Sequence, residues 1–201
     1  QPVFGKLPDG ERLARIEKSP NCRNGKFQNR VPTIMITSGK PRIRSYWDFL
    51  FIRIKDLVPE KALPSVKTDL KSLNPQDDIL VWLGHSSLYL QNSGKRILVD
   101  PVLVAASPFS FVNKPFKGTD NYRPAEMPDI DYIIITHDHF DHLDYKTMRY
   151  LKNGNSRVIC PLGVGAHFER WGFDTARIVE LDWNDSIRLD EKIKITSLPA
   201  R

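Results

Sequence analysis

The chain has 201 residues, 40% of them hydrophobic and 27% charged, with a net charge of +6. This balance excludes a disordered or low-complexity chain, and the length suits one domain of ordinary size with a real core. No apolar run approaches the roughly 18 residues of a membrane span, and Cys22 and Cys160 are too few for a disulfide framework and lack zinc-site spacing, so two ordinary thiols are expected.

The first residue is Gln1 rather than Met, so loss of the original start is expected, and no signal peptide is visible in what remains. A cytoplasmic protein and an exported one both fit. Residues 1–60 hold 12 Lys/Arg against 6 Asp/Glu, whereas residues 61–201 hold 18 of each. A basic segment suits nucleic acid or an anionic membrane surface. It also reads as a solvated face, so no nucleic acid partner is expected and peripheral membrane contact stays open.

Residues 1–77 read as a basic, Pro-rich arm. Pro2, Pro8, Pro20, Pro32 and Pro41 interrupt residues 1–45, as do Gly5, Gly10, Gly25 and Gly39, and no period emerges. A short helix is expected from Ser45 to Ile54, with Trp47, Leu50, Phe51 and Ile54 at helical spacing and Arg42, Arg44, Arg53 and Lys55 around it. Such a stretch can lie on a membrane interface. Aromatic stripes are more often core, so docking against the main domain is expected. Residues 57–77, with Pro59, Pro64 and Pro75, read as a linker.

The main domain is expected over 78–201. Ile79–Leu83, Ser87–Leu90 and Arg96–Val99 are strand candidates, with Asn92-Ser93-Gly94 as a turn. His85 follows the first strand in a Gly-His-Ser-Ser turn, where it either faces a site or sits in a hydroxyl-rich turn. Asp100, before Pro101, ends the third strand. Residues 102–129 form a long loop, and loops of this length in compact domains are usually functional. Phe109, Phe111 and Phe116 alternate there with Lys114, Lys117 and Arg123, a composition that would hold an apolar group beside a phosphate. Plain loop packing is the alternative.

The densest chemistry follows. Ile133-Ile134-Ile135 reads as a buried strand, and Thr136-His137-Asp138-His139-Phe140-Asp141-His142 follows it directly. Asp144 opens a short helix with Tyr145, Met148 and Leu151 on one side. The cluster therefore lies in a strand-to-helix loop, where open α/β sheets hold ligands. Imidazole and carboxylate are ordinary ligands of zinc and related divalent ions. His137 and His139 can converge on one ion, and Asp141 and His142 can reach a second.

The run His137-x-His139-x-Asp141-His142 after an apolar strand resembles the signature of the metallo-β-lactamase-fold hydrolases. Trp82-Leu83-Gly84-His85-Ser86-Ser87 and Ile97-Leu98-Val99-Asp100-Pro101 resemble the opening strands of one branch. That branch includes N-acyl-phosphatidylethanolamine-hydrolysing phospholipase D and the ascorbate-6-phosphate lactonases. The resemblance covers about residues 78–201. It implies a four-layer αββα sandwich, of which this chain supplies the N-terminal half plus an arm. It also implies two divalent ions, with zinc the first choice and manganese or iron as alternatives, and a carboxylate at Asp100 that fixes a metal-bound histidine. Asp141 is then both metal ligand and the residue that orients the nucleophile.

Beyond the motif, Arg157–Cys160, Arg177–Leu181, Ser186–Leu189 and Ile193–Ser197 read as strands. Gly163–Trp171 reads as a helix whose His167 is a packed residue rather than a ligand. In the family resembled, a run like Ser197–Arg201 leads into a further ligand histidine, and later segments supply an aspartate and a last histidine. The expected partners are therefore the C-terminal half of the same domain, or a swapped protomer, and a small-molecule or lipid phosphate substrate. The implied reaction is metal-dependent hydrolysis of a phosphodiester, with lactone hydrolysis second. A non-enzymatic metal-binding module is the competing class.

Overall fold

The computed structural model describes residues 1–32, 39–52, 55–109 and 114–199. Its centre is a six-stranded mixed sheet whose strands lie in chain order. β1 (Cys22–Arg23) and β2 (Lys26–Phe27) form a small hairpin outside it. The sheet holds β3 (Ile79–Gly84), β4 (Ser87–Asn92), β5 (Lys95–Val99), β6 (Tyr132–Ile134), β7 (Arg157–Pro161) and β8 (Ile178–Leu181). β3, β4 and β5 pair antiparallel, and β5 to β8 pair parallel. Two antiparallel steps make β3 run the same way as β5. The carboxyl ends of β3, β5, β6 and β7 therefore share one edge of the sheet.

The sequence explains this layout. β6 and β7 are short, near-continuous apolar runs, as strands covered on both faces tend to be. Ile133, Val158 and Cys160 are buried on one side, with Ile159 on the other. In β4, Ser87, Tyr89 and Gln91 point inward. Their polar atoms are satisfied: Tyr89 donates to Gln91 Oε1 at 3.0 Å, and Gln91 Nε2 donates to the carbonyls of Asn74 and Asp77 at 2.6 and 2.8 Å. Such pairing removes most of the cost of burying these groups.

Two helices cover the face of the main core. α3 (Tyr145–Leu151) is capped by Asp144, whose side chain accepts from Lys146 N, and it buries Thr147, Met148 and Leu151. α4 (Gly165–Arg170) buries Ala166 and Phe168, and Phe168 meets Trp171 and Phe173 edge-on. On the opposite face, the hairpin of β9 (Ser186–Arg188) and β10 (Lys194–Thr196) packs Ile187, Ile195 and Leu189 against Ile97, Tyr132, Ile159 and Leu181. Leu80 and Trp82 on β3 stay exposed. The architecture is the expected α/β arrangement, with a helical layer and a full sheet from one half of the αββα sandwich.

The arm holds more structure than its broken sequence suggests. α1 (Gly10–Lys18) docks through buried Ile16 and through ion pairs: Arg12 reaches Glu180 at 3.0 Å and Glu169 at 2.6 Å. Ser19 Oγ donates to Asp182 at 2.5 Å. Segment 57–77 is also tied down, with Leu70 buried in the main core and Thr68 N donating to Tyr122 Oη at 3.0 Å.

The expected aromatic helix forms as α2 (Arg42–Phe51), slightly earlier than its spacing suggested. The expectation that it docks is overturned: Trp47 is 57% and Phe51 62% exposed, and Tyr46 and Ile43 are exposed as well. The helical face of the sheet is already covered by α3 and α4. Trp47 stacks instead on Phe51 at 4.3 Å, while Lys40 and Arg44 hold Asp48. The Leu50 side chain, Arg53 and Ile54 lie outside the described residues.

Candidate metal centre

The motif occupies the loop from β6 to α3, at the shared carboxyl edge of the sheet. Tertiary structure brings two further segments to it. Asp100, at the end of β5, is 3% exposed. Its Oδ1 accepts from Thr136 N at 2.7 Å, and its Oδ2 accepts from Thr136 Oγ1 at 2.6 Å and pairs with His142 Nδ1 at 2.8 Å. His85, at the end of β3, pairs through Nε2 with Asp141 Oδ2 at 3.1 Å, and Ser86 Oγ donates to the Asp141 carbonyl at 2.6 Å. His85 thus faces the cluster, and Asp100 buttresses it.

The imidazoles are close. The His137 ring centroid lies 4.0 Å from that of His142 and 4.6 Å from that of His139. His142 has its Nδ1 engaged by Asp100, and His137 has its Nδ1 3.0 Å from Thr136 Oγ1. Both therefore keep Nε2 for a ligand, which is how metal-bound histidines are usually oriented. Burial and the neighbouring rings of His142 and His139 hold the His137 imidazole below its ordinary pKa, favouring the neutral form that binds metal. For the Asp141 carboxyl, burial pushes upward, but the hydrogen bond from His85 and nearby charge outweigh it and hold the pKa low.

Local backbone sets these positions. His85 and Asp100 have φ of 46° and 43°, a region that few residues other than Gly, Asn and Asp adopt. Trp82 Nε1 donates to the His85 carbonyl at 2.9 Å, and Asp100 N donates to Ile134 O at 2.9 Å. Before His85, Gly84 has φ of 109°, and a Cβ there would lie 2.1 Å from Thr119 O. Only glycine lets the long loop approach the site this closely.

Beside His85 lies a cavity of about 300 Å³, lined by Val102, Val104, Lys114, Pro115, Thr119 and Arg123 among others. Of the six residues expected to form a substrate loop, Lys114 and Arg123 line it. Phe109, Phe116 and Lys117 are exposed outside it, and Phe111 lies outside the described residues. The Arg123 guanidinium donates to the Asp120 carbonyl at 2.9 Å.

The sequence pattern of the Beta-lactamase superfamily domain matches residues 95–201, more than half of the chain. The chain belongs to this superfamily. An uncharacterized protein of Mycobacterium tuberculosis is 36% identical over 188 residues, covering 92% of this chain and 50% of its own length. N-acyl-phosphatidylethanolamine-hydrolyzing phospholipase D 1 of Caenorhabditis elegans is 27% identical over 204 residues, covering 89% of this chain and 55% of its own length. Among solved structures, CmlA, a diiron beta-hydroxylase from Streptomyces venezuelae, aligns with a TM-score of 0.48 and 28% identity, over 63% of this chain and 24% of CmlA. The chain spans about half the length of the curated relatives it matches. The resemblance to metallo-β-lactamase-fold hydrolases is thus borne out. No helix among the described residues is long and apolar enough to cross a membrane.

The superfamily is one of metal-dependent hydrolases, and the donor set present fits a divalent cation. Imidazoles and a carboxylate stand together, and His142 is held by Asp100. Among the described residues, however, no three His, Cys, Asp or Glu side chains are drawn into one metal-ligand geometry. Sequence reasoning missed Thr136, which links Asp100 to His137. It also missed the link from His167 to the motif: His167 Nε2 lies 3.4 Å from Asp138 Oδ2. That contact holds the Asp138 carboxyl below its ordinary pKa. A Thr between an apolar strand and a His-rich run was the only available signal for the first. None existed for the second.

Proposed function

We propose that this chain builds the metal-binding half of a hydrolase that cleaves a phosphodiester, phospholipid-like in character. His137 and His139 would hold one divalent ion, and Asp141 and His142 a second, with zinc favoured over manganese or iron. When bound, such a pair supplies Lewis acidity and a water acidic enough to react near neutral pH. The chain's own residues do the rest. Asp100 keeps the His142 Nδ1 proton engaged, so that Nε2 stays a ligand. His85 orients the Asp141 carboxylate, and Asp141 in turn aligns the attacking water. Lys114 and Arg123, at the neighbouring cavity, attract the substrate phosphate. The remaining ligands, and cover for Leu80 and Trp82, would come from the C-terminal half of the domain or from a swapped protomer.

The observation that carries this reading is the Asp100–His142 pair inside the His137/His139/Asp141 cluster. Packing alone gives no reason to gather these groups at the carboxyl edge of the sheet. The test is His139→Ala in the intact protein, read by bound-metal analysis and by hydrolysis of a phosphodiester. Loss of both metal and turnover is expected. Full hydrolysis by a metal-free variant would sink the mechanism.

A further inference from the structure

Three consecutive residues of the N-terminal arm lie against the metal motif and α4. The Phe4 ring meets Phe140, inside the motif, edge-on at 6.1 Å. Lys6 N donates to His167 Nδ1 at 3.0 Å. That bond requires Nδ1 to be unprotonated, so the proton of a neutral His167 is on Nε2, the nitrogen directed at Asp138 between His137 and His139. Gly5 sits between the two contacts with φ of 65°, and a Cβ there would lie 1.8 Å from His167 Nδ1. This close approach, like the φ itself, admits only glycine.

The segment is anchored at both ends. Trp171 Nε1 donates to the Pro2 carbonyl at 2.8 Å. On the other side, Arg12 holds Glu180 and Glu169. A strap fixed at two points and touching the motif loop in the middle limits how that loop can move. Arm, His167 and Asp138 form a continuous chain of contacts from one of the first residues to the heart of the motif.

We infer that Phe4–Lys6 is a built-in brace of the metal-motif loop, with His167 as the positioning residue that transmits it. This rests on the reading of the motif as a metal site. The brace acts on ligand placement: it limits how far the loop carrying His137 and His139 can move before an ion arrives, so less ordering remains to be done on binding.

The experiment uses Gly5→Ala and His167→Asn in the intact protein. The first drives the arm off His167. The second keeps an acceptor for Lys6 N but no longer reaches Asp138. Amide hydrogen exchange of residues 137–142 is measured in metal-free protein, with α3 and β7 amides as controls for the fold. Zinc affinity is measured by chelator competition. Both variants are expected to exchange faster across the motif with unchanged controls, and to bind zinc about tenfold more weakly, the lower end of the effect of removing a ligand-supporting residue. His167→Gln, whose amide can again reach Asp138, should recover most of the protection that His167→Asn loses. A general packing role for His167 predicts no such recovery. Unchanged exchange and zinc affinity in both variants would overturn the brace. Loosening by Gly5→Ala alone would overturn the role of His167. If the wild-type protein takes up no zinc, the metal-site reading fails separately, and the exchange data still decide whether the arm braces the loop.

Discussion

Asp100→Asn isolates the buttress of the candidate metal centre. Asparagine tolerates the φ of 43° at this position, so backbone and shape are kept. The amide must turn its oxygen toward Thr136 N, because that N–H can only donate. Its NH₂ group then faces Thr136 Oγ1 and His142 Nδ1, both held by Oδ2 in the native protein. The threonine hydroxyl can rotate and accept. His142 Nδ1 can accept only by moving its proton to Nε2, the nitrogen a metal needs. Removing a partner of this kind weakens metal binding about 10- to 100-fold, or about 1.4–2.7 kcal/mol. Hydrogen bonds to a charged group exceed neutral ones by about 1 kcal/mol each, so folding stability should fall by about 1–3 kcal/mol. Zinc affinity by chelator competition and thermal unfolding of the metal-free protein measure the two effects. A folded Asp100→Asn protein with native zinc affinity would refute the tautomer argument.

The cavity loop and the buried thiol give two further tests. Replacing Lys114, Lys117 and Arg123 together with Ala should lower kcat/KM for a phosphodiester by about 10- to 100-fold, from the loss of one or two charge-assisted contacts. A neutral lactone should lose much less, and equal losses on both would count against phosphate recognition here. Burial pushes the Cys160 thiol pKa far up, whereas Cys22 is partly exposed. Iodoacetamide should therefore label Cys22 and spare Cys160 in the folded protein, and label both after denaturation, as peptide mass spectrometry would show. Equal native labelling would contradict the burial of β7.

What the sequence alone determined is local. The short apolar runs of β3, β5, β6 and β7 and the Asn92-Ser93-Gly94 turn are all short-range preferences, and they yielded the strands of the main domain to within a residue or two. The motif was legible for the same reason: three imidazoles and two carboxylates within six residues have no packing explanation. Other features depend on distant partners. α1 has a single buried residue, Ile16, and is held largely by Arg12 on Glu180, 168 positions away, a docking contact that no local pattern announces. The aromatic stripe of α2 looked like a core face, but exposure is decided by which elements cover the sheet, and α3, α4 and the β9–β10 hairpin do so here. Asp100 on His142 and His85 on Asp141 join residues 42 and 56 positions apart. Those contacts exist because two antiparallel steps turn β3 and β5 the same way, bringing their ends to the end of β6. Only the folded sheet could decide that, since loop closure over such distances leaves no trace in neighbouring residues.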